Sequence, residues 1–347
     1  MRILFDMVHP ADVLFFLHPI RKLLAAGNVV DIASREKDVT CALLDQFGLP
    51  HRSASTAATG YFGLAQEMLV RDAVILRRAI RFRPDVMVGF GGVAISHVGK
   101  LTGRPAISFY AADTASLQTK LTWPFITHLY VPEPYAGQTP TGRTTRFPGI
   151  KELSYFHPDN FTIDDDIALR NGWDPQRDNF FIRTVSWRAN HDIGKSGWSD
   201  VTLASLVRKL SARGKVHISS ERELSADLAP FAYRGAKNEL HHVMGKCRLY
   251  IGESATMAHE ACLLGVPSIY DGADHPGTTL ELQSNGLLRA LRQPGADLLF
   301  ATVDDLLKPT ARKNVEDRRN VYLASRANLA DFIVEAIYHH AGLRGVN

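Results

Sequence analysis

The run Tyr250-Ile-Gly-Glu-Ser-Ala-Thr-Met-Ala-His-Glu260 has the residue types of a phosphate cradle. Tyr250 and Ile251 read as the end of a strand, Gly252, Ser254, Ala255 and Thr256 as a loop of small residues, and Met257 onward as a helix. The first turn of such a helix offers unpaired backbone N–H groups and the positive end of the dipole, which suit an anion. Ser254 and Thr256 either cap the helix or donate hydroxyls to phosphate oxygens. Glu260 lies one turn further in, about 6 Å along the axis. A carboxylate there either accepts both hydroxyls of a ribose whose phosphates sit at the helix end, or is a solvated helical acid. A second glycine-rich segment, Gly89-Phe-Gly-Gly-Val-Ala94, matches G-x-G-x-x-A between a strand and a helix. It sits on a late strand, and only Asp113 loosely supplies the acid a dinucleotide site needs, so Gly91 and Gly92 read instead as points of close backbone approach to a ligand.

The elements that must hold these loops follow from the apolar pattern. Residues 3–8, 29–33, 85–90, 106–109 and 129–131 read as strands, separated by helical patterns over 13–26, 39–47 and 64–81; the small polar residues 53–60 read as a loop. After Pro148-Gly149-Ile150 the alternation restarts, with strands over 180–185, 216–219, 249–251 and 267–270 and helices over 200–213 and 257–264. A long helical pattern over 315–340 follows. Strands alternating with helices imply parallel sheets covered on both faces. The fold class expected is α/β, two Rossmann-like domains facing a cleft, over 1–150 and 151–347, with the C-terminal helix packing back across.

The composition agrees. At 347 residues the chain is long enough for two domains, and 45% hydrophobic with 22% charged residues is globular rather than disordered, collagen-like or coiled-coil. A net charge of +4 is too even for a chain that coats nucleic acid. Cys41, Cys247 and Cys262 have no C-x-x-C spacing and fit a reducing compartment. No run reaches the roughly 18 apolar residues of a membrane span, and the N-terminus has no signal-peptide pattern. A cytoplasmic protein is expected. Residues 1–150 carry 16 basic and 11 acidic side chains, with Arg71, Arg77, Arg78, Arg81 and Arg83 on one predicted helix. That run is either a solvated face or, through Arg77, Arg78 and Arg81, a peripheral contact with anionic lipid. Asp164-Asp-Asp166 reads as an acidic helix N-terminus rather than a metal cluster. The adjacent pairs His241-His242 and His339-His340 have no ligand spacing, and no metal is expected.

The segment from Gly252 through Glu260 to Gly265-Val-Pro267 resembles the nucleotide-sugar motif of GT-B glycosyltransferases and of UDP-GlcNAc 2-epimerases. Together with Phe5-Asp-Met-Val-His-Pro-Ala-Asp-Val-Leu-Phe-Phe16 it resembles a bacterial and archaeal family termed domain of unknown function 354, itself GT-B-like. The resemblance implies a glycosyltransferase that moves a sugar from a nucleoside-diphosphate sugar to a surface-glycan or lipid-linked acceptor, with no further cofactor. Gly252, Ser254, Ala255, Thr256 and Met257 would hold the diphosphate and Glu260 the ribose. His9, which closes the first strand, would deprotonate the acceptor hydroxyl, or else shape the turn or bind acceptor or phosphate. Asp12 either orients His9 or caps the following helix. Gly91, Gly92 and Asp113 would lie at the acceptor. Arg188, in Trp187-Arg188-Ala-Asn-His191, would stack the base or neutralise diphosphate, ahead of Arg183. The loop from Asp274 to Gln283 would bring His275, Thr278 and Glu281 to the donor sugar. Two other readings stay open: a nucleotide-sugar 2-epimerase, though its Arg-Pro-Glu and His-Gly-Asp segments are not seen, and a non-catalytic nucleotide-sugar or glycan-binding protein.

Overall fold

The computed structural model describes residues 1–37, 39–113, 116–185, 197–292 and 295–342. Two compact units emerge: Met1–Asn160 joined by the segment from Ala327, and Phe161–Arg326.

Unit 1 holds strands β1 (Arg2–Met7), β2 (Val29–Glu36), β3 (Arg52–Thr56), β4 (Val86–Phe90), β5 (Ala106–Phe109), β6 (His128–Pro132) and β7 (Thr144–Phe147). They form one sheet in the order β3-β2-β1-β4-β5-β6-β7, parallel throughout. Its helices are α1 (Pro10–Ala25), α2 (Thr40–Gln46), α3 (Gly60–Phe82), α4 (Val93–Thr102), α5 (Ser116–Thr122) and α6 (Leu153–Phe156). Strand β1 is buried from Ile3 to Met7, as a strand covered on both faces must be. The helices fall into two groups: α1 packs on α2 and α6, whereas α3 packs on α4 and α4 on α5. Under α1 the rings of Phe5, Phe16, Phe109 and Tyr130 form a chain with centroids 5.0–6.0 Å apart.

Unit 2 runs α7 (Asp165–Arg170), β8 (Asp178–Thr184), α8 (Asp200–Ser211), β9 (Gly214–Ser220), α9 (Leu240–Gly245), β10 (Leu249–Gly252), α10 (Ala255–Leu263), β11 (Ser268–Asp271), α11 (Gly277–Ser284), β12 (Leu288–Leu291), α12 (Ala296–Leu306) and α13 (Ala311–Ala324). Its parallel sheet has the order β12-β11-β10-β8-β9, so β10 is central. Ile182, Ile251 and Ile269 of the sheet pack with Leu203 and Leu206 of α8 and with Leu299 and Val303 of α12.

Three expectations are corrected. Residues 52–56 are an edge strand rather than a loop; with three of its five residues exposed, β3 lacks the apolar run of a central strand. The pattern over 315–340 is two helices, because the Asn328 side chain accepts the Ala330 N–H at 3.0 Å and starts α14 (Leu329–His340) afresh. Finally, α14 belongs to unit 1, not to the second half, and the division falls at Asn160 rather than 150. The reason is packing: α14 buries Leu329, Ile333 and Ile337 and lies on α1 and α6, with Lys22 paired to Asp331 at 2.6 Å.

Candidate functional site

The carboxyl edge of unit 2 is built on β10. Its last residue must be glycine: a Cβ at Gly252 would strike the Tyr250 hydroxyl and come within 2.8 Å of Arg183 Cβ. Ser254 then caps α10, its Oγ accepting the Met257 N–H at 3.4 Å. The hydroxyl keeps its own proton to donate, so capping and phosphate binding are compatible roles. Ser254, Ala255, Thr256 and Met257 are all half-buried, which leaves this first turn reachable from solvent. Glu260 is not a solvated acid. It is 5% exposed, and its Oε2 lies 3.0 Å from Nε2 of His241 on α9. The neighbouring His259 turns the other way, to Thr279 Oγ1 at 2.8 Å.

Glu253, to which the sequence reading assigned nothing, is a hub. Its buried carboxylate accepts the Val185 N–H at 3.1 Å and the Trp198 N–H at 2.6 Å, tying the two chain ends that flank residues 186–196 to the tip of β10. Trp198 in turn donates from Nε1 to Asp271 Oδ2 at 2.6 Å. An acid directly after a strand-ending glycine was the available signal. Arg188 lies outside the described residues. Arg183 is no solvent-facing strand residue: it donates to Ser219 Oγ at 2.8 Å and pairs with Glu221, across β9 and beyond.

The loop after β11 divides. His275 Nε2 contacts the Leu291 carbonyl at 3.1 Å, Thr278 is buried, and Glu281 accepts from the Tyr322 hydroxyl at 2.8 Å and pairs with Arg326 at 2.7 Å. Glu281 therefore pins α11 to α13. His241 and His242 also serve separately, since His242 Nδ1 accepts the Asp164 N–H at 2.9 Å. Asp164 caps α7 by accepting from Ile167 at 2.9 Å.

In unit 1 the end of β1 forms a reciprocal cap. His9 Nδ1 accepts the Ala11 N–H at 3.2 Å, and Asp12 Oδ2 accepts the N–H groups of Val8 and His9 at 2.9 and 3.0 Å. Asp12 thus holds backbone, not the imidazole, and the cap alternative replaces the orienting one. Burial pushes its carboxyl up to about 7, two backbone donors opposing and the Asp6 charge adding to the rise. His9 is exposed. With Nδ1 accepting, a neutral ring carries its proton on Nε2. Gly91 and Gly92 both have left-handed φ, at +81° and +58°. A Cβ on Gly91 would collide with the Gln118 amide, whose oxygen accepts from Tyr110, so Gln118 packs directly on this backbone. Asp113 lies beside the same group; after burial, its charge helps push the Tyr135 phenol up to about 12.

The basic helix is split. Arg71 is buried against Asp6 and donates to Ser55 Oγ at 2.9 Å; Arg78 donates to the carbonyls of Ile32 and Arg52 at 3.2 and 2.9 Å. Arg77 and Arg81 face solvent. Arg78 therefore leaves the expected lipid-contacting set. Among the described residues no group of three or more His, Cys, Asp or Glu side chains is arranged for a metal ion, and no helix is long and apolar enough to cross a membrane.

No protein-family model matches the chain, and no curated protein matches it. Solved structures do. The UDP-GlcNAc 2-epimerase of Neisseria meningitidis, bound to UDP-GlcNAc, aligns over 98% of this chain and 100% of its own, with a TM-score of 0.66 at 12% identity. The spinosyn forosaminyltransferase SpnP aligns over 98% and 99%, with a TM-score of 0.68 at 15% identity. The spinosyn rhamnosyltransferase SpnG, complexed with spinosyn aglycone, aligns over 96% and 99%, at 0.66 and 14%. At such identities the likeness is one of fold, and with two parallel α/β units matched over nearly the whole chain, that fold is GT-B.

Proposed function

We propose that the chain is a glycosyltransferase that uses a nucleoside-diphosphate sugar as donor and a surface-glycan or lipid-linked hydroxyl as acceptor. The observation that carries this reading is the open first turn of α10 at the end of a central strand, with the His241-held Glu260 one turn behind it. The diphosphate would rest on the N–H groups of this turn and on the Ser254 and Thr256 hydroxyls, where the helix dipole also steadies the leaving group. His241 occupies one carboxylate oxygen of Glu260, and a carboxylate has acceptor capacity left for ribose hydroxyls. In the reaction the bond from anomeric carbon to phosphate oxygen breaks, a bond to the acceptor oxygen forms, and the hydroxyl proton is released. Unit 1 would bind the acceptor near His9, Gly91, Gly92 and Asp113. There His9 Nε2–H serves as a hydrogen-bond donor, and a role as base requires the ring to leave Ala11.

Fold neighbours include both transferases and 2-epimerases, so the test separates these classes. Melting is followed with UDP, GDP, TDP, CDP and CMP; a nucleotide at 100 times its dissociation constant should stabilise by about 2.7 kcal/mol. Ser254→Ala and Glu260→Gln should diminish that shift. The sugar conjugate of the responding nucleotide is then incubated with and without acceptor. A new glycoside supports transfer, an epimer formed without acceptor replaces it with isomerisation, and binding without turnover replaces it with a binding protein. If no nucleotide raises the melting temperature, the donor-site reading fails.

A further inference from the structure

Helix α3 turns one face the wrong way for a water-soluble surface. Its inner face is conventional: Ile75 and Ala79 enter the core, and Glu67 and Arg71 are buried in polar pairings. On the opposite face, at spacings of seven, four and seven residues, lie Phe62, Leu69, Ala73 and Ile80. Phe62 is 95% exposed, Leu69 66% and Ile80 64%. This stripe is about 27 Å long at 1.5 Å per residue. Beside it, α4 packs on α3 and exposes Lys100 and Leu101.

The charges on this face have one sign. Arg77 and Arg81 flank Ile80 in solvent, and Arg83 follows at the helix end. Both acids of α3 are turned aside: Glu67 is held by Arg35 through two contacts of 2.6 Å, and Asp72 by His97 at 2.7 Å. The apolar stripe is thus edged by cations with no carboxylate projecting among them. A second copy of the chain brings apolar surface and cations but no exposed carboxylate of α3 to answer Arg77 and Arg81. An apolar layer beneath a negatively charged one satisfies both features together.

We infer that α3 lies in the interface of an anionic lipid bilayer, with Phe62, Leu69 and Ile80 entering the acyl boundary and Arg77 and Arg81 at the headgroups. A helix carrying apolar residues on one side and arginines at its edge lies on a membrane rather than across it. The stripe and the arginines are both needed, since the first supplies depth and the second attraction to the negative surface. This inference is independent of the sugar-transfer reading, because it concerns unit 1 alone and is read by vesicle binding.

The test is co-flotation of the full chain with phosphatidylglycerol–phosphatidylcholine vesicles and with pure phosphatidylcholine vesicles. The wild type should float with the first and much less with the second. Replacing Arg77 and Arg81 by glutamine should weaken binding about fivefold per residue and remove most of the salt dependence. A Phe62→Ser, Leu69→Ser, Ile80→Ser variant should lose more than about tenfold. All five positions are exposed, so a circular-dichroism melt should show both variants folded. Equal binding to both vesicle types, or none to either, overturns the inference. So does a concentration-dependent dimer that the apolar variant abolishes, which assigns the face to a second copy.

Discussion

Replacing Asp12 with asparagine exchanges a buried carboxyl for an amide of the same shape, while a carbonyl oxygen remains to accept the Val8 and His9 N–H groups. What changes is titration. In the fold the Asp12 carboxyl is pushed from 3.8 up to about 7 by burial, which outweighs its two backbone donors and the Lys151 charge. The folded chain therefore keeps a proton that the unfolded chain releases. The corresponding stability is fully present below 3.8 and is lost as pH rises towards about 7. A gap of about three units at 1.36 kcal/mol each amounts to about 4 kcal/mol. Urea unfolding of the wild type and of Asp12→Asn, followed by tryptophan fluorescence at a series of pH values, measures it. Groups common to both proteins cancel in the difference. The stability of the variant relative to the wild type should rise by about 4 kcal/mol between about pH 4 and about pH 8. A difference that stays flat, or falls, refutes the reasoning, for it would mean that the cap holds Asp12 as a carboxylate throughout. The same variant separates cap from orienter of His9: once an acceptor is known, kcat/KM at neutral pH should stay within about threefold of wild type, about 0.7 kcal/mol, if Asp12 only holds backbone.

His241→Ala strips the buried Glu260 of its partner and should cost about 3 kcal/mol in urea unfolding; an unchanged transition would show that Glu260 does not depend on it. Gly91→Ala forces an L-residue to φ +81° and should cost about 1–2 kcal/mol from the backbone alone. A further loss from displacing Gln118 should vanish in a Gln118→Ala background, and persistence of the full loss there would assign it wholly to φ.

What could be read from the residues and what could not divides along physical lines. Strands β1, β4 and β5 are buried on both faces, so each leaves a mainly apolar run in the chain, broken only by Asp6 in β1 and Ser108 in β5, and their alternation with helices implies the parallel sheet. Edge strand β3 and four-residue β12 are wet on one side and leave no such run. The same division holds at the site. Ser254 and Asp164 were legible as caps because each accepts from an N–H three residues on. The partner that orients Glu260 lies 19 residues away, that of Glu281 45 and that of Arg71 65, and only the fold brings these together. Local chemistry is written locally; pairings that decide whether an acid is a ligand or an anchor are not.

The arginines of α3 show where the boundary was set by interpretation rather than by physics. Read as a list, Arg71, Arg77, Arg78 and Arg81 make one basic run. Read at 3.6 residues per turn, Arg71 and Arg78 are seven apart and share the side of Ile75 and Ala79, whereas Arg77 and Arg81 are four apart and share the side of Ala73 and Ile80. The first pair had to find partners inside, and did, in Asp6, Ser55 and the backbone of β2 and β3. The second pair stands in solvent beside apolar residues that a water-facing helix has no reason to carry. Helical phase was therefore enough to separate structural from interacting charge. What phase could not supply is that Glu67 and Asp72 turn away to Arg35 and His97. That removal of the carboxylates leaves the outer face with cations of one sign beside its apolar stripe.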